Sequence, residues 1–187
     1  LNKGGINPVK GFWGNYGGDT ESYLDPIDHL LKSGTYFPDN RMPGYGALYL
    51  LLIIIVEKAA ALNFIILLQF VLAVISNYCL ALTAWRVFHS QRLFYVVFYL
   101  FAISAYSNLF DDMVITESLS CSLLILTVYA FCKWNDTRKN KLLVGSGFLL
   151  TWVIFLKPVF LPLLFLFLLL ITRICRFKRQ FILPAIL

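Results

Sequence analysis

The stretch LNFIILLQFVLAVISNYCLALTA, residues 62–84, contains no Asp, Glu, Lys or Arg in 23 positions. A helix of this length extends about 34 Å at 1.5 Å per residue. That is enough to cross a hydrocarbon core about 30 Å thick. The stretch therefore predicts a transmembrane helix. The other apolar stretches can then be assigned as membrane spans in order along the chain from this one.

The rest of the chain continues in the same pattern. Its composition is 59% hydrophobic and 14% charged, against about 25% charged residues in soluble domains. An outer-membrane barrel would show short segments of alternating polarity, and this sequence does not alternate. We therefore expect an all-α polytopic bundle. Its further predicted spans are 93–107, 115–132, 142–156 and 159–172, with another beginning near Phe181.

The charges between these spans alternate in sign from one connection to the next. Ten of the sixteen basic residues fall in one set of connections: Arg86, Arg92, Lys133, Arg138, Lys139, Lys141, Arg173, Arg176, Lys178 and Arg179. Asp136 alone opposes them, and the other nine acidic residues fall on the opposite side. Basic loops remain cytoplasmic, so residues 1–61 and 108–117 are predicted to share the external face of a bacterial inner membrane. The net charge of +6 thus indicates topology, and no nucleic-acid partner is expected.

This topology divides the chain into two parts, an external segment at 1–61 and a membrane domain at 62–187. The external segment is predicted to hold a helix with Asp25 as N-cap, Pro26 at its first position and Gly34 at its stop. A second short helix, at 46–56, is expected along the outer leaflet because eleven residues are too few to span. The chain starts at Leu1 and stops in an apolar run. We therefore expect a fragment that lacks a preceding helix and its C-terminal part.

The external segment contains a polar stretch, GDTESYLDPIDHLLKSGTYFPDNRMPGY, at residues 18–45. Half of the ten acidic residues lie within it. Asp19 and Tyr23 stand four apart, Ser33-Gly34 follows, and Arg41-Met42-Pro43-Gly44-Tyr45 ends the stretch. Further on come ITESLSCSLLILTVYAF (115–131) and Leu156-Lys157-Pro158.

In this order the motifs resemble those of GT-C glycosyltransferases, of the dolichyl-phosphate-mannose protein mannosyltransferase type. They are also similar to the bacterial aminoarabinose transferases that modify lipid A. The family's first external loop reads roughly D-E-x-x-Y, then S-G, then K/R-P-P-x-Y; a later span opens with T-E-x-L. This chain departs from the pattern at Thr20, at Met42 and at Pro26. The departures bear on the sugar and the acceptor more than on the reaction class.

The resemblance implies transfer of a sugar from a polyprenyl-phosphate carrier to a protein, lipid or glycan acceptor on the external face. It implies Asp19 as the general base, since a carboxylate must deprotonate the acceptor hydroxyl. It implies Arg41 and Lys157 as cations for the departing phosphate. Glu117, Asp111, Asp112 and Glu21 are candidate acceptor or metal contacts, and a divalent metal is a candidate cofactor.

Each assignment has a structural alternative. Asp19 could cap a turn, and Arg41 could extend toward the interface. Glu117 could act only on the dipole of its helix, and Asp111-Asp112 could be a solvated pair. At the level of the whole protein, the alternatives are a membrane transporter and a non-catalytic membrane subunit. A transporter would place polar residues near the membrane midplane on broken helices.

Overall fold

The structure, a computed structural model, describes residues 9–16, 19–37, 41–104 and 110–182, with side chains as far as residue 174. The described residues form no β-strand, which confirms the all-α prediction. Within the described residues, one isolated bridge joins Asn15 to Met113. The helices are α1 (Thr20–Ser33), α2 (Pro43–Ile53), α3 (Lys58–Phe88), α4 (Gln91–Ile103), α5 (Thr116–Thr137), α6 (Asn140–Leu156) and α7 (Leu161–Ile182), with a 3₁₀ turn at Pro158–Phe160.

Helix α3 is the central element. It packs against α2, α4 and α5, and α5 in turn packs along α6. Among the described residues it is the one helix long and apolar enough to cross a membrane. Shorter apolar helical segments occupy Pro43–Ile53, Gln91–Ile103, Asn140–Leu156 and Pro158–Ile174.

Each of the five predicted spans overlaps helical structure; the span 93–107 matches α4 as far as Ile103, and its residues 105–107 lie outside the described part of the chain. The stretch 62–84 lies inside α3, and 115–132 and 142–156 lie in α5 and α6. The span expected to begin near Phe181 is not a separate helix within the described residues, because Phe181 and Ile182 continue α7.

The predicted start of the first short helix is wrong. Helix α1 begins at Thr20, and Pro26 lies inside it. Tyr23, Leu24 and Ile27 are buried on one face of α1, and burial of that face favours a helix that begins before the Asp25-Pro26 signal. The predicted stop is confirmed: Gly34 has φ 74°, and its N–H donates to the Leu30 carbonyl at 2.9 Å.

One carboxylate holds the first three helices together. Asp28, on α1, accepts a hydrogen bond from the Tyr49 hydroxyl of α2 at 3.0 Å, and it forms an ion pair with Lys58 at the start of α3. Around this contact lies the hydrophobic core, at the end of the bundle where α3 and α5 begin. Its fully buried members include Tyr45, Tyr49, Leu62, Ile65, Val114 and Val153.

Helix α2 is the short helix expected near 46–56, and it begins at Pro43. Its first turn lies very close to the end of α6. A Cβ built on Gly44 would stand 2.6 Å from the Phe155 carbonyl oxygen and 2.9 Å from the Leu156 nitrogen. Only glycine allows this approach, because backbone atoms cannot move aside as a side chain can.

We expect Gly44→Ala to destabilise the protein by about 1–3 kcal/mol, as overpacking against rigid neighbours does. Gly145→Ala, in α6, is the matched control because a Cβ there meets nothing within 4 Å. The control should be neutral or slightly stabilising, since alanine favours a helix more than glycine does. Thermal unfolding of the purified protein in detergent measures both. Equal melting temperatures for the two variants would contradict the close contact.

Candidate functional site

Asp19 and Arg41 form an ion pair at the start of α1. Arg41 Nη2 lies 2.7 Å from Asp19 Oδ1, and Arg41 Nε donates to Ser22 Oγ at 3.1 Å. The guanidinium also stands 5.2 Å from the centre of the Tyr23 ring. Asp19 occupies the N-cap position of α1, yet its carboxylate makes no capping hydrogen bond. The carboxylate instead pairs with Arg41, and the expected alternative, a cap on a turn after Gly17-Gly18, involves residues outside the described part of the chain.

Glu117 and Lys157 form a second ion pair. Glu117 lies in the first turn of α5, and Lys157 lies where α6 ends. Lys157 Nζ is 2.5 Å from Glu117 Oε1. The Lys157 side chain is 28% exposed and that of Glu117 is 38% exposed, so both are open to solvent or to a ligand.

A hydrogen bond between Tyr23 and Thr116 connects the two ion pairs. The Tyr23 hydroxyl lies 3.2 Å from Thr116 Oγ1, and both residues are buried. Thr116 Oγ1 also donates to Glu117 Oε2 at 3.4 Å. Tyr23 therefore contacts Arg41 of the first ion pair through its ring, and it contacts Thr116 through its hydroxyl. Thr116 in turn contacts Glu117 of the second ion pair. The structure brings four predicted residues, Asp19, Arg41, Glu117 and Lys157, to one end of the bundle.

Residues 110–115, which we call the 110–115 loop, lead into α5 and carry Asp111 and Asp112. Asp111 is only 6% exposed, and its Oδ1 accepts from Ser118 Oγ at 2.5 Å. Asp112 Oδ2 accepts from Asn15 Nδ2 at 2.6 Å. The two carboxylates therefore bind different partners, and the solvated-pair alternative is wrong for Asp111.

No group of three or more His, Cys, Asp or Glu side chains among the described residues could hold a metal ion. A divalent metal at Asp111 would need its remaining oxygen ligands from substrate or water. Glu21 is exposed on α1, and within the described residues the structure gives it no hydrogen bond or ion pair.

Gln69, which the sequence reasoning missed, fixes the 110–115 loop to α3. Its side chain is fully buried, and its Oε1 accepts from the Tyr45 hydroxyl at 2.8 Å. Its Nε2 donates to the Met113 carbonyl at 3.0 Å. The available signal is a polar residue within an apolar span, which is costly and therefore marks a function or a structural need.

A cavity of about 700 Å³ opens beside the second ion pair. Asp111, Glu117 and Lys157 line it at one end, and Asn77 lies farther along α3. Apolar side chains form most of the remaining wall: Phe70, Ala73, Val74, Phe101, Ala102, Phe110, Leu124 and Phe160. Asp19 and Arg41 are not among the lining residues, so the first ion pair lies outside the cavity.

Neither a scan against protein-family models nor searches of curated proteins and of solved structures gave a match for this chain.

Burial raises the pKa of Asp111 above its ordinary value of 3.8, and Asp112 raises it further, while the hydrogen bond from Ser118 lowers it. The folded protein then holds this proton to higher pH than the unfolded chain. Below pH 3.8 both states are protonated and Asp111 does not reduce stability. As pH rises through the folded pKa, ionisation costs the folded state free energy.

We expect Asp111→Asn to gain thermal stability relative to the parent protein as pH rises from about 4 toward neutrality. Melting temperatures across that range measure the difference. Ser118→Ala should enlarge the pH dependence, because it removes the hydrogen bond that lowers the pKa. A constant difference between Asp111→Asn and the parent at every pH would show that Asp111 titrates alike in both states.

Proposed function

We propose that this protein is an integral membrane glycosyltransferase that moves a sugar from a polyprenyl-phosphate carrier to an acceptor on the external face of the membrane. The observation that carries the proposal is the pair of carboxylate–cation contacts held on either side of the Tyr23–Thr116 hydrogen bond. Sugar transfer from a lipid phosphate requires both kinds of group, a base for the hydroxyl and cations for the phosphate.

At the first ion pair, binding of the donor phosphate to Arg41 frees the Asp19 carboxylate to act as the base. Without substrate, Asp19 accepts from Arg41. A donor phosphate presents oxygens that the guanidinium can bind with two parallel hydrogen bonds. When the phosphate takes the place of the carboxylate on Arg41, Asp19 is left to accept the proton of the acceptor hydroxyl. The anomeric carbon–oxygen bond to phosphate then breaks as the new glycosidic bond forms.

Arg41 is suited to this exchange because its side chain is oriented before the donor arrives. Ser22 Oγ binds its Nε, and the Tyr23 ring supports the guanidinium plane. A lysine could supply the charge, yet it has neither the planar fork nor the stacking. Lys157 is the second cation of the proposal, and it approaches the same end of the bundle from α6.

A transport function has less support. A transporter binds its substrate on discontinuous helices near the midplane, whereas α3 is continuous over 31 residues. Its charged residues, Lys58 and Arg86, lie near its two ends. The ion pairs of Asp19 and Glu117 lie at the starts of α1 and α5.

The proposed topology places Glu21 and Lys139, both exposed, on opposite faces of a membrane crossed by α3, α4 and α5. We expect a membrane-impermeant maleimide to label Glu21→Cys in intact cells and Lys139→Cys only after permeabilisation. The native cysteines are replaced by alanine in both variants. Labelling of both positions in intact cells would contradict the proposed multi-pass topology.

We expect Asp19→Asn to lower sugar transfer from a polyprenyl-linked donor by about 10²-fold or more, the usual contribution of a general base. Transfer is measured with the full-length protein in membranes, and insertion and thermal stability are checked in parallel. Asp25→Asn is the matched control, since Asp25 is an exposed carboxylate on the same helix. Full activity in Asp19→Asn would refute the assignment of the base.

A further inference from the structure

The start of α6 combines positive charge and exposed apolar surface on one face of the helix. Lys141 is exposed in the first turn. Val144, three residues farther on, is 71% exposed, and Phe148, seven residues farther on, is 65% exposed. Residues at this spacing lie on the same side of a helix. An exposed apolar strip therefore runs along α6 and ends at a lysine.

The strip fits within one leaflet of a bilayer. Phe148 lies seven residues beyond Lys141, which is about 10.5 Å along the helix axis. Half of a hydrocarbon core about 30 Å thick measures about 15 Å. A lipid with its phosphate at Lys141 would therefore extend an acyl chain past Val144 and Phe148. Gly145 leaves room beside them, since a Cβ built there would meet nothing within 4 Å.

Other cations surround Lys141. Arg138 and Lys139 connect α5 to α6, and Lys133 lies four residues before the end of α5. Lys133 Nζ stands 5.5 Å from the centre of the Tyr129 ring. Within the described residues, the side chains of Lys139 and Lys141 form no ion pair and no hydrogen bond. Two exposed ammonium groups are therefore available to an anion.

Asp136, the one acidic residue in the sequence from 118 to 187, is already paired. Its Oδ2 accepts from Arg86 Nη1 at 2.9 Å. Arg86 would have to exchange this carboxylate before it could bind a phosphate, as in the exchange proposed for the first ion pair. Lys139 and Lys141 need no exchange. Because this stretch holds no other acid, it supplies no counter-charge for them.

We infer that the start of α6 binds an anionic phospholipid, with the phosphate at Lys139 and Lys141 and one acyl chain along Val144 and Phe148. Basic clusters at the cytoplasmic ends of membrane helices attract anionic headgroups, and the proposed topology places this cluster on that side. The strip favours a lipid over a soluble phosphate, because only a lipid covers both the lysines and the apolar surface. The inference requires α6 to border lipid, and it does not require sugar transfer.

The test uses the full chain in phosphatidylcholine nanodiscs. The four native cysteines are replaced by alanine, and Val144→Cys carries a bimane label. A small fraction of the lipid is phosphatidylglycerol or phosphatidylcholine with the same nitroxide-labelled acyl chain. Phosphatidylglycerol should reach half-quenching at a mole fraction lower by about five- to thirtyfold, the factor for one or two lysines near an anionic headgroup. At Val74→Cys, a control position that is 70% exposed on α3, the two lipids should quench alike.

The variant Lys139→Gln/Lys141→Gln should abolish the preference at the α6 label, whereas Lys139→Arg/Lys141→Arg should keep it. Lys10→Gln/Lys32→Gln is the matched control, because it removes the same charge from exposed lysines outside the cluster. It should behave like the parent. Glycerol 3-phosphate in solution should not weaken quenching by phosphatidylglycerol, since it cannot cover the apolar strip.

Equal quenching by the two lipids at the α6 label, a preference that the Gln variant retains, or the same preference at both label positions would each overturn the lipid site. Competition by glycerol 3-phosphate would indicate a site for soluble phosphates and would also overturn it. Absence of quenching by either lipid would overturn the site together with the proposed topology. A protein that shows the preference but transfers no sugar would refute the proposed function alone.

Discussion

The side-chain amide of Gln69 is the interaction on which the arrangement of the site depends. A buried amide without partners is costly in an apolar surrounding, and Gln69 is fully buried in the longest apolar helix. Its need for partners is met by Tyr45 on α2 and by the backbone of the 110–115 loop. Neither partner could move away without leaving the amide unsatisfied.

The 110–115 loop, held by Gln69, in turn positions other parts of the site through its own hydrogen bonds. The Val114 carbonyl accepts from Thr20 Oγ1 at 3.0 Å, which holds the first turn of α1. The Asn15 N–H donates to the Asp112 carbonyl at 2.7 Å, and the Val114 N–H donates to the Asn15 carbonyl at 3.3 Å. Asp19 lies one residue before Thr20, so the position of the first ion pair follows from the same loop. One polar residue in α3 thus orients groups on three other segments.

The lengths of the apolar stretches were enough to predict where most helices lie, because a run of apolar residues has few ways to avoid water other than a buried or membrane helix. Gly34 was predictable as a stop since a left-handed residue favours glycine. The start of α1 was not predictable, because the Asp25-Pro26 signal is local and the burial of Tyr23 and Leu24 depends on tertiary contacts.

Residue chemistry and motif order singled out Asp19, Arg41, Glu117 and Lys157. Which carboxylate pairs with which cation, however, depends on contacts between distant segments. Gln69 and Asn77 were missed for a related reason: an amide in an apolar run carries no charge.

The two amides of α3 illustrate different uses of the same chemical group. Gln69 satisfies both ends of its amide within the protein and so adds rigidity. Asn77, two turns farther along the helix, has a buried oxygen with no hydrogen-bond partner among the described residues. A fold that needed only packing at position 77 would be more stable with an apolar side chain there, since a buried unpaired acceptor costs about 1–3 kcal/mol. The half of α3 around Gln69 therefore holds the charged residues of the site in place, whereas the half around Asn77 carries a buried amide oxygen that makes no hydrogen bond to the described residues.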